Sequence, residues 1–405
     1  MQLMNPRSIA PDKVSLPAKL FLLGMIFNGL GNGVFNVVLQ LYLLSLGFTS
    51  DAIGLIIMIS SIGAALLTIP AGIAADRYGK KRVVLCGFSI WCLSALLVTG
   101  ASSIEVFCLA FLLVGVGNAI GSVSTPIYSS FFEKKDMDRA FGLLGFLNIT
   151  SMSVGSLLGF LPPMLVANHG FTLQFAYWAV FALGVIVFVS SIPFFIGSLR
   201  GVIDSKRGDA FRFTLKSPNV VTKFSLLTVL GSLGYGVFFS LFPYYANKKF
   251  GIESDALGTL FFISNLTSAG AHVLAARAST RLGPLKAITV AISLSIPFYV
   301  LIPLAPSFTW LSCLYILRCG VRAMATPLET SFFMKVVRGE EKATANSIRT
   351  LAMQGGGVIA PWLGGQIMAF MSLDAPTSFG AELYAIHAAA YYFLLRNEKE
   401  AGSGK

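Results

Sequence analysis

The stretch Gly72-Ile73-Ala74-Ala75-Asp76-Arg77-Tyr78-Gly79-Lys80-Lys81-Arg82 is the point from which the fold of this chain can be worked out. It places one acid and four bases between two apolar segments, near residues 52–75 and 83–102. A segment of roughly 20 apolar residues is long enough to cross a bilayer as a helix. The charged stretch is therefore expected to form a short loop between two membrane-spanning helices.

The composition of the whole chain indicates a protein of the lipid bilayer. Hydrophobic residues occupy 55% of the 405 positions and charged residues only 12%, with a mean hydropathy of +0.76. A soluble domain carries roughly 25% charged residues. Twelve apolar segments are long enough to span a membrane, near 17–46, 52–75, 83–102, 104–132, 140–166, 172–198, 223–247, 254–278, 287–306, 308–336, 345–370 and 378–395. The fold class predicted from them is an all-α membrane protein with twelve transmembrane helices.

The basic residues are distributed unevenly among the loops. Of the 30 Lys and Arg, 25 fall at the two termini and in alternate loops, whereas the opposite loops hold only Lys248 and Lys249. Cytoplasmic loops of helical membrane proteins collect Lys and Arg. The net charge of +12 is thus explained by topology, and no nucleic-acid partner is expected. The pattern predicts a multi-pass protein of the plasma membrane, the inner membrane of a bacterium or archaeon, with both termini in the cytoplasm.

Three short stretches recur in the same order about half a chain apart. The matching pairs are Leu30–Phe35 with Leu233–Phe238, Ser50–Gly54 with Ser254–Gly258, and Thr125–Phe132 with Thr326–Phe333. Such a parallel duplication places a central cavity between two halves of similar fold. It predicts two pseudo-symmetric six-helix bundles, residues 1–198 and 223–405, joined by a cytoplasmic linker at 199–222.

With twelve spans and this duplication, the spacing G-x-x-x-D-R-x-G-[RK]-[RK] that begins at Gly72 resembles the signature loop of the major facilitator superfamily of secondary transporters. A degenerate copy lies in the second half, from Ala276 to Lys286. The resemblance covers essentially the whole chain and implies transport by alternating access. It also implies a latch between the halves on the cytoplasmic side, which stabilises the outward-open state. The residues of this gating loop are Gly72, Asp76, Arg77, Gly79 and Lys80. Gly72 is expected to let a neighbouring helix approach closely.

A stretch of this chain resembles a second signature of the family, but it lies in a different span from the usual one. This Gly/Pro-rich helix occurs at Gly357–Gly365, in the eleventh span. In antiporters of the family that pattern usually lies in the fifth span, where this chain offers only Gly155, Gly159 and Pro162. This departure disfavours antiport.

Polar residues recur at membrane depth in several spans. Asn28, Asn32, Asn36 and Gln40 follow one another every four residues along the first span, so they form one stripe of the helix. A polar stripe that faces lipid is costly, so it is expected to face a cavity or the bundle interior. In the family the central cavity is lined by the first, fourth, seventh and tenth spans. The middle residues of those spans are Asn32, Asn118, Tyr235, Arg318 and Arg322.

These residues are the candidate substrate-binding groups, and hydrogen bonding between helices is the alternative role of the amides. Arg318 and Arg322 lie one turn apart near the middle of the tenth span, where insertion costs roughly 2.5 to 3.5 kcal/mol per Arg. Glu329 is the only acid well inside a span, and it is expected to pair with Arg349 at the same depth. The two central arginines would then lack a counter-ion, which favours a carboxylate, phosphate or sulfonate substrate. Hydrogen bonds from either arginine to backbone carbonyls and amides are the competing interpretation.

Glu329, Arg349 and His272 are the candidate coupling residues, because a salt-bridged Glu329 can exchange its Arg partner for a proton. No metal-ligand cluster or nucleophile pattern occurs, so no metal, cofactor or enzymatic activity is expected. The function predicted is secondary active transport of a small anionic organic solute by a monomer, with symport, antiport and uniport left open. The alternatives are a proton-driven efflux pump for neutral or amphipathic drugs or metabolites, and a membrane receptor descended from a transporter.

Overall fold

The computed structural model describes residues 14–121, 123–133, 136–200, 217–337 and 341–396, and their side chains except at 76, 125, 126, 138, 273–280, 342 and 343. Throughout these ranges the regular structure is helical, without a β-strand. The helices are α1 (Leu16–Ser45), α2 (Ser50–Tyr78), α3 (Lys80–Gly100), α4 (Ile104–Gly121), α5 (Ser124–Ser129), α6 (Met137–Ser156), α7 (Leu161–His169), α8 (Leu173–Val189), α9 (Ser191–Ser198), α10 (Pro218–Phe239), α11 (Phe242–Phe250), α12 (Ser254–Leu282), α13 (Pro284–Leu301), α14 (Phe308–Val336), α15 (Lys342–Phe370) and α16 (Ala375–Leu395).

Each predicted span coincides with one of these helices or with two consecutive ones. The tenth span, predicted at 308–336, is α14 with the same bounds. Within the described residues, eight helical stretches are long and apolar enough to cross a membrane on composition alone. The remaining spans, α12, α14, α15 and α16, have 29, 29, 29 and 21 residues but carry more polar side chains. Three of these helices, α14, α15 and α16, place polar side chains in a cavity that is described below.

Several spans are interrupted near a proline. α7, α9 and α11 each contain a proline within their first three residues, at Pro162, Pro193 and Pro243. Proline has no amide proton and cannot complete the hydrogen bond to the preceding turn. The fifth, sixth and seventh spans are therefore each built of two shorter helices.

The loops of the two halves share an unusual backbone turn. Gly79 and Gly283 precede α3 and α13 with φ angles of 96° and 77°. L-residues with a side chain rarely adopt such positive angles, so these positions need glycine. The spacing of 204 residues equals that between Gly47 and Gly251, which also have positive φ angles. The internal repeat thus extends to the conformation of the loops.

The described residues form two compact units. The first comprises the described parts of Met1–Gly47, Ile62–Asp209 and Glu253–Phe262, and the second those of Phe48–Ser61, Ala210–Ile252 and Ile263–Lys405. The beginning of α2 thus belongs to the second unit and the beginning of α12 to the first. The predicted linker at 199–222 lies mostly outside the described residues.

Serine hydroxyls at the starts of these two helices bind backbone carbonyls inside the unit that contains them. In the first unit Ser254 Oγ donates to Gly159 O at 2.7 Å. In the second unit Ser50 Oγ donates to Gly365 O at 3.0 Å. Both acceptors are glycines, where the absence of a side chain lets the helices come close.

Glycine also sets the distance between the principal helices of each unit. A Cβ at Gly155 of α6 would overlap the Leu30 carbonyl of α1, and one at Gly364 of α15 would overlap the Val237 carbonyl of α10. These close approaches pack α1 tightly against α6 and α10 tightly against α15.

Replacing Gly364 with Ala is expected to lower the free energy of unfolding by about 1 to 3 kcal/mol, because the added methyl group overpacks the contact between α10 and α15. Thermal unfolding of the purified protein in detergent measures the change. Gly355→Ala on the same helix is the matched control, since the second unit leaves open space there and alanine favours the helix. Equal unfolding midpoints for the two variants would contradict this account of the packing.

Candidate functional site

A cavity of about 500 Å³ lies inside the second unit, among α10, α14, α15, α16 and the beginning of α2. Its lining combines charged groups with hydroxyls and aromatic rings. The ionisable residues and hydroxyls that line it are Ser61, Thr228, Ser232, Tyr235, Ser240, Arg322, Thr326, Glu329, Thr330, Arg349, His387 and Tyr391. Intramembrane ionisable groups that meet in a cavity are typical of substrate or proton pathways.

The principal ion pair of this cavity joins Arg322 to Glu329. Arg322 Nη1 lies 2.7 Å from Glu329 Oε1, and Arg322 Nη2 lies 3.3 Å from Glu329 Oε2. The two groups thus form a bidentate pair, in which each terminal nitrogen donates to one carboxylate oxygen. The prediction that Glu329 pairs with Arg349 is therefore wrong. Seven residues are about two helical turns, which returns Glu329 to the face of Arg322, and the two extended side chains cover the rise of roughly 10 Å.

Arg349 has a different role in the structure. Its Nη2 donates to Thr330 Oγ1 at 3.1 Å, and its guanidinium carbon lies 5.3 Å from the centre of the Phe333 ring. Its buried Nε finds no hydrogen-bond partner among the described residues. Arg349 therefore contributes a second positive charge to the cavity that Glu329 does not neutralise.

Arg318 is enclosed by aromatic side chains, although it lies only one turn from Arg322. It is 1% exposed, and its Nη2 donates to the hydroxyl groups of Tyr384 at 2.9 Å and Tyr299 at 3.3 Å. Its guanidinium carbon lies 3.9 Å from the centre of the Phe239 ring, an arrangement in which the ring face stabilises the cation. Among the described residues it has no carboxylate partner. The expected lack of a counter-ion thus fits Arg318 and is wrong for Arg322.

The hydrogen-bond partners of Arg318 also differ from the backbone and amide groups considered from the sequence. The Tyr299 hydroxyl accepts a hydrogen bond from Arg318 and donates one to the backbone oxygen of Gly234 at 2.7 Å. Arg318 thereby connects α14 with α13, α16 and α10. Tyr235 joins both environments, since it lines the cavity and its ring centre lies 5.1 Å from the Arg318 guanidinium carbon.

Sequence reasoning missed two residues of this cavity, His387 and Tyr391. Both lie on α16, four residues apart and so on one face, and both are buried. His387 Nδ1 and the Tyr391 hydroxyl have no hydrogen-bond partner within the described residues. The spacing of Tyr384, His387 and Tyr391 in the last span was the available signal, because polar residues at helical spacing mark an inward face.

A smaller cavity of about 220 Å³ lies inside the first unit. Three of the predicted amides line it, and the remaining walls are largely aromatic. Asn32 Nδ2 donates to Asn28 O at 2.9 Å and to Asn28 Oδ1 at 3.0 Å, while Asn118 faces the same space from α4. The aromatic residues are Phe21, Phe88, Trp91, Phe188 and Phe195.

The rest of the predicted polar stripe lies elsewhere. Asn36 is exposed and its Nδ2 donates to Met152 Sδ at 3.5 Å, and Gln40 is buried within α1. Neither residue lines the small cavity. His272, on α12, is exposed and does not line the cavity that contains Glu329.

The gating loop joins the end of α2 to the start of α3. Gly79 forms the turn, and Arg77 is exposed with its guanidinium carbon 5.5 Å from the ring centre of Tyr78. Lys80 is the first residue of α3, and of Asp76 only the helical backbone is described. The first unit leaves open space where a Cβ of Gly72 would lie, so the close helix approach expected there is not made within this unit.

Apolar helices long enough to span a membrane, together with an ion pair and cavities inside the helical units, are typical of one class of protein, the multi-pass membrane transporters. The model of the Major Facilitator Superfamily matches residues 21–361 and, in a second match, 224–405. The chain belongs to this superfamily. The predictions of an all-α twelve-helix transporter and of a protein that is not an enzyme are thereby confirmed.

Curated relatives are also membrane transporters by name. An uncharacterized MFS-type transporter of Methanocaldococcus jannaschii is 22% identical over 330 residues, which cover 80% of this chain and 84% of that protein. The quinolone resistance protein NorA of Staphylococcus aureus is 24% identical over 230 residues, 54% of this chain and 56% of that protein. An uncharacterized transporter of Buchnera aphidicola is 30% identical over 174 residues, 42% of either chain.

Solved structures share the fold at lower sequence identity. A bacterial homolog of the human lysosomal transporter Spinster has a TM-score of 0.74 and 16% identity, covering 95% of this chain and 98% of that one. The POT family transporter PepTSo has a TM-score of 0.77 and 13% identity, covering 98% and 99%. These similarities concern the fold alone.

Proposed function

We propose that the protein is a secondary active transporter that works by alternating access and carries a small organic anion, whose acidic group binds Arg322. The observation that supports this proposal is the two-pronged contact between Arg322 and Glu329 on the wall of the larger cavity. A guanidinium placed in this way binds carboxylate or phosphate groups with both of its ends. An internal carboxylate fills the position that the acidic group of a substrate would take.

The charge of the cavity favours an anion. Its lining includes two arginines, Arg322 and Arg349, against one acid, Glu329. A lipophilic cation would add to an excess of positive charge at membrane depth, where unpaired charges are costly. A carboxylate or phosphate that bridges the two guanidinium groups would instead neutralise the excess.

If the substrate anion replaces Glu329 as the partner of Arg322, anion binding becomes coupled to proton binding. When a substrate anion takes Arg322, Glu329 loses its cation and needs a compensating positive charge. A proton supplies that charge at the lowest cost in space, so the proposed transport is symport of the anion with a proton. The proposed orientation places both termini in the cytoplasm of a cell with the protein in the plasma membrane, and the loop at Gly72 to Arg82 latches the halves on that side.

Counterflow into proteoliposomes tests the substrate class. A panel of labelled mono- and dicarboxylates, phosphate esters and sulfonates is compared with neutral sugars, neutral amides and lipophilic cations. We expect counterflow of a member of the anionic set, and a decrease of about 10- to 100-fold in Arg322→Ala, because hydrogen bonds to a charged group contribute about 1.5 to 3 kcal/mol. Arg396→Ala is the matched control, since Arg396 is exposed just after α16. Anion counterflow that survives Arg322→Ala, or counterflow of cations alone, contradicts the proposal.

A second candidate function is the efflux of neutral or amphipathic compounds. The similarity to NorA, named as a quinolone resistance protein, and the aromatic walls of the smaller cavity favour it. Aromatic rings bind flat apolar molecules without requiring charge. Counterflow of amphipathic compounds, unaffected by Arg322→Ala and reduced by Trp91→Ala, would favour this candidate over anion transport.

A further inference from the structure

His387 is a buried histidine that has no role in the anion binding proposed above. It is 2% exposed, lies on α16 and lines the cavity that holds Arg322 and Glu329. The imidazole occupies the space beside Gly231 of α10, where a Cβ would lie 2.8 Å from its Cε1. Its Nδ1 has no hydrogen-bond partner among the described residues. A buried ring nitrogen without a partner is costly for a structural histidine and is free to take part in proton binding.

The groups around His387 determine what a proton there would do. Its own helix supplies Tyr384 and Tyr391, whose ring centres lie 6.1 Å and 5.9 Å from that of the imidazole. The ionisable groups that neighbouring elements contribute to this region are Tyr235 from α10, Tyr299 from α13, Arg318, Arg322 and Glu329 from α14, and Arg349 from α15. Glu329 is the one acid among the cavity-lining residues. An imidazolium at position 387 therefore has one anion of the protein to pair with.

That anion is already bound to Arg322. A proton on His387 would give Glu329 a second cation and weaken its hold on Arg322, so that the guanidinium becomes available to a substrate. It would also raise the excess positive charge of the cavity, which only an added anion can neutralise. Binding of a proton and binding of an anion then favour each other, and this coupling is reciprocal by thermodynamic necessity.

We infer that His387 is the proton-binding residue of this transporter, and that its protonated form pairs with Glu329 and releases Arg322 to the substrate anion. The inference rests on the proposed function, because it assigns the coupling step of anion symport. The proton moves from water to an imidazole nitrogen as the anion enters, and it leaves as the anion departs and Glu329 returns to Arg322. No bond other than that to the proton is made or broken.

The chain contains only three histidines, which allows a direct test without a known substrate. Protein labelled with ¹⁵N-histidine is purified in detergent, and its imidazole signals are assigned with His169→Gln, His272→Gln and His387→Gln. NMR spectra are then recorded from about pH 4 to about pH 9. We expect the signal of His387 to titrate, and to titrate at lower pH in Glu329→Gln, because the anion that stabilises the imidazolium is gone. A His387 signal that does not titrate, or that titrates unchanged in Glu329→Gln, overturns the inference.

A transport measurement separates this inference from the proposed function. Counterflow of the anion found in the panel is measured with and without an inward proton gradient. Wild type and the surface control His169→Gln are expected to accumulate the anion when the gradient is imposed. His387→Gln is expected to lose this gradient response while still binding the anion, measured by protection against thermal unfolding. An unchanged gradient response in His387→Gln, or its loss in His272→Gln instead, overturns the inference and leaves anion transport intact. Failure of Arg322→Ala to affect counterflow refutes the proposed function itself.

Discussion

Replacing Arg318 with Ala is expected to lower the free energy of unfolding of the second unit by about 3 to 5 kcal/mol. The change removes a guanidinium that is 1% exposed and lies 3.9 Å from the centre of the Phe239 ring. It leaves a void among aromatic rings and takes away the nitrogen that binds the buried hydroxyls of Tyr299 and Tyr384. Thermal and denaturant unfolding in detergent measure the effect.

Arg318→Met separates volume from charge. A methionine fills much of the space and makes favourable contacts with aromatic rings, and it removes a buried charge that has no acid partner among the described residues. Most of the stability is therefore expected to return. If Arg318 is a structural tie, Arg318→Met also retains anion counterflow, in contrast to Arg322→Ala. Loss of counterflow in a stable Arg318→Met protein would instead show that Arg318 binds the substrate, as the sequence predicted.

Arg318 and Arg322 have different surroundings, and the sequence predicted their positions but not these surroundings. Their position near the middle of the tenth span and their spacing of one turn were predicted, and the bounds of α14 agree with both. What surrounds each guanidinium depends on which side chains α10, α13 and α16 bring to it. Tyr299 and Tyr384 come from two spans that have no sequence link to Arg318, so the aromatic enclosure could not be foreseen.

The partner of Glu329 shows a second limit. Matching residues by depth across neighbouring helices favoured Arg349, whereas the observed pair runs along α14 to Arg322. Both pairings suit the sequence, and the choice depends on rotamers of long side chains that no pattern encodes. Thr330 takes the place beside Arg349 that Glu329 was expected to fill.

The last span shows the opposite case, a signal that was present in the sequence. Its apolar run is diluted by several polar residues, among them Tyr384, His387 and Tyr391. Those residues form the buried face of α16. A polar face in a membrane helix avoids lipid and turns to the protein interior, so the dilution itself pointed to the functional cavity.

Neutralising either member of the Arg322 and Glu329 pair is expected to be more harmful to stability than neutralising both. Their side chains are 22% and 14% exposed, so each charge is largely removed from solvent. Arg322→Gln leaves the Glu329 carboxylate without its cation, and Glu329→Gln leaves the guanidinium without its anion. Each single change is expected to lower the free energy of unfolding by about 1 to 3 kcal/mol, whereas the double variant places two amides that can bind each other.

A double-mutant cycle on unfolding in detergent gives the coupling between the two residues. It has to exceed the larger single effect if the double variant is the more stable, and it is expected to be about 1 to 3 kcal/mol. Transport is expected to follow a different rule. All variants that lack Arg322 lose anion counterflow, including the double variant whose stability has returned, because the guanidinium binds the substrate directly and the Glu329 carboxylate does not. Additive single changes would mean that the two side chains do not stabilise each other, which would contradict this account of the ion pair. Recovery of counterflow in the double variant would mean that the substrate binds elsewhere, since a stable protein without Arg322 then still carries it.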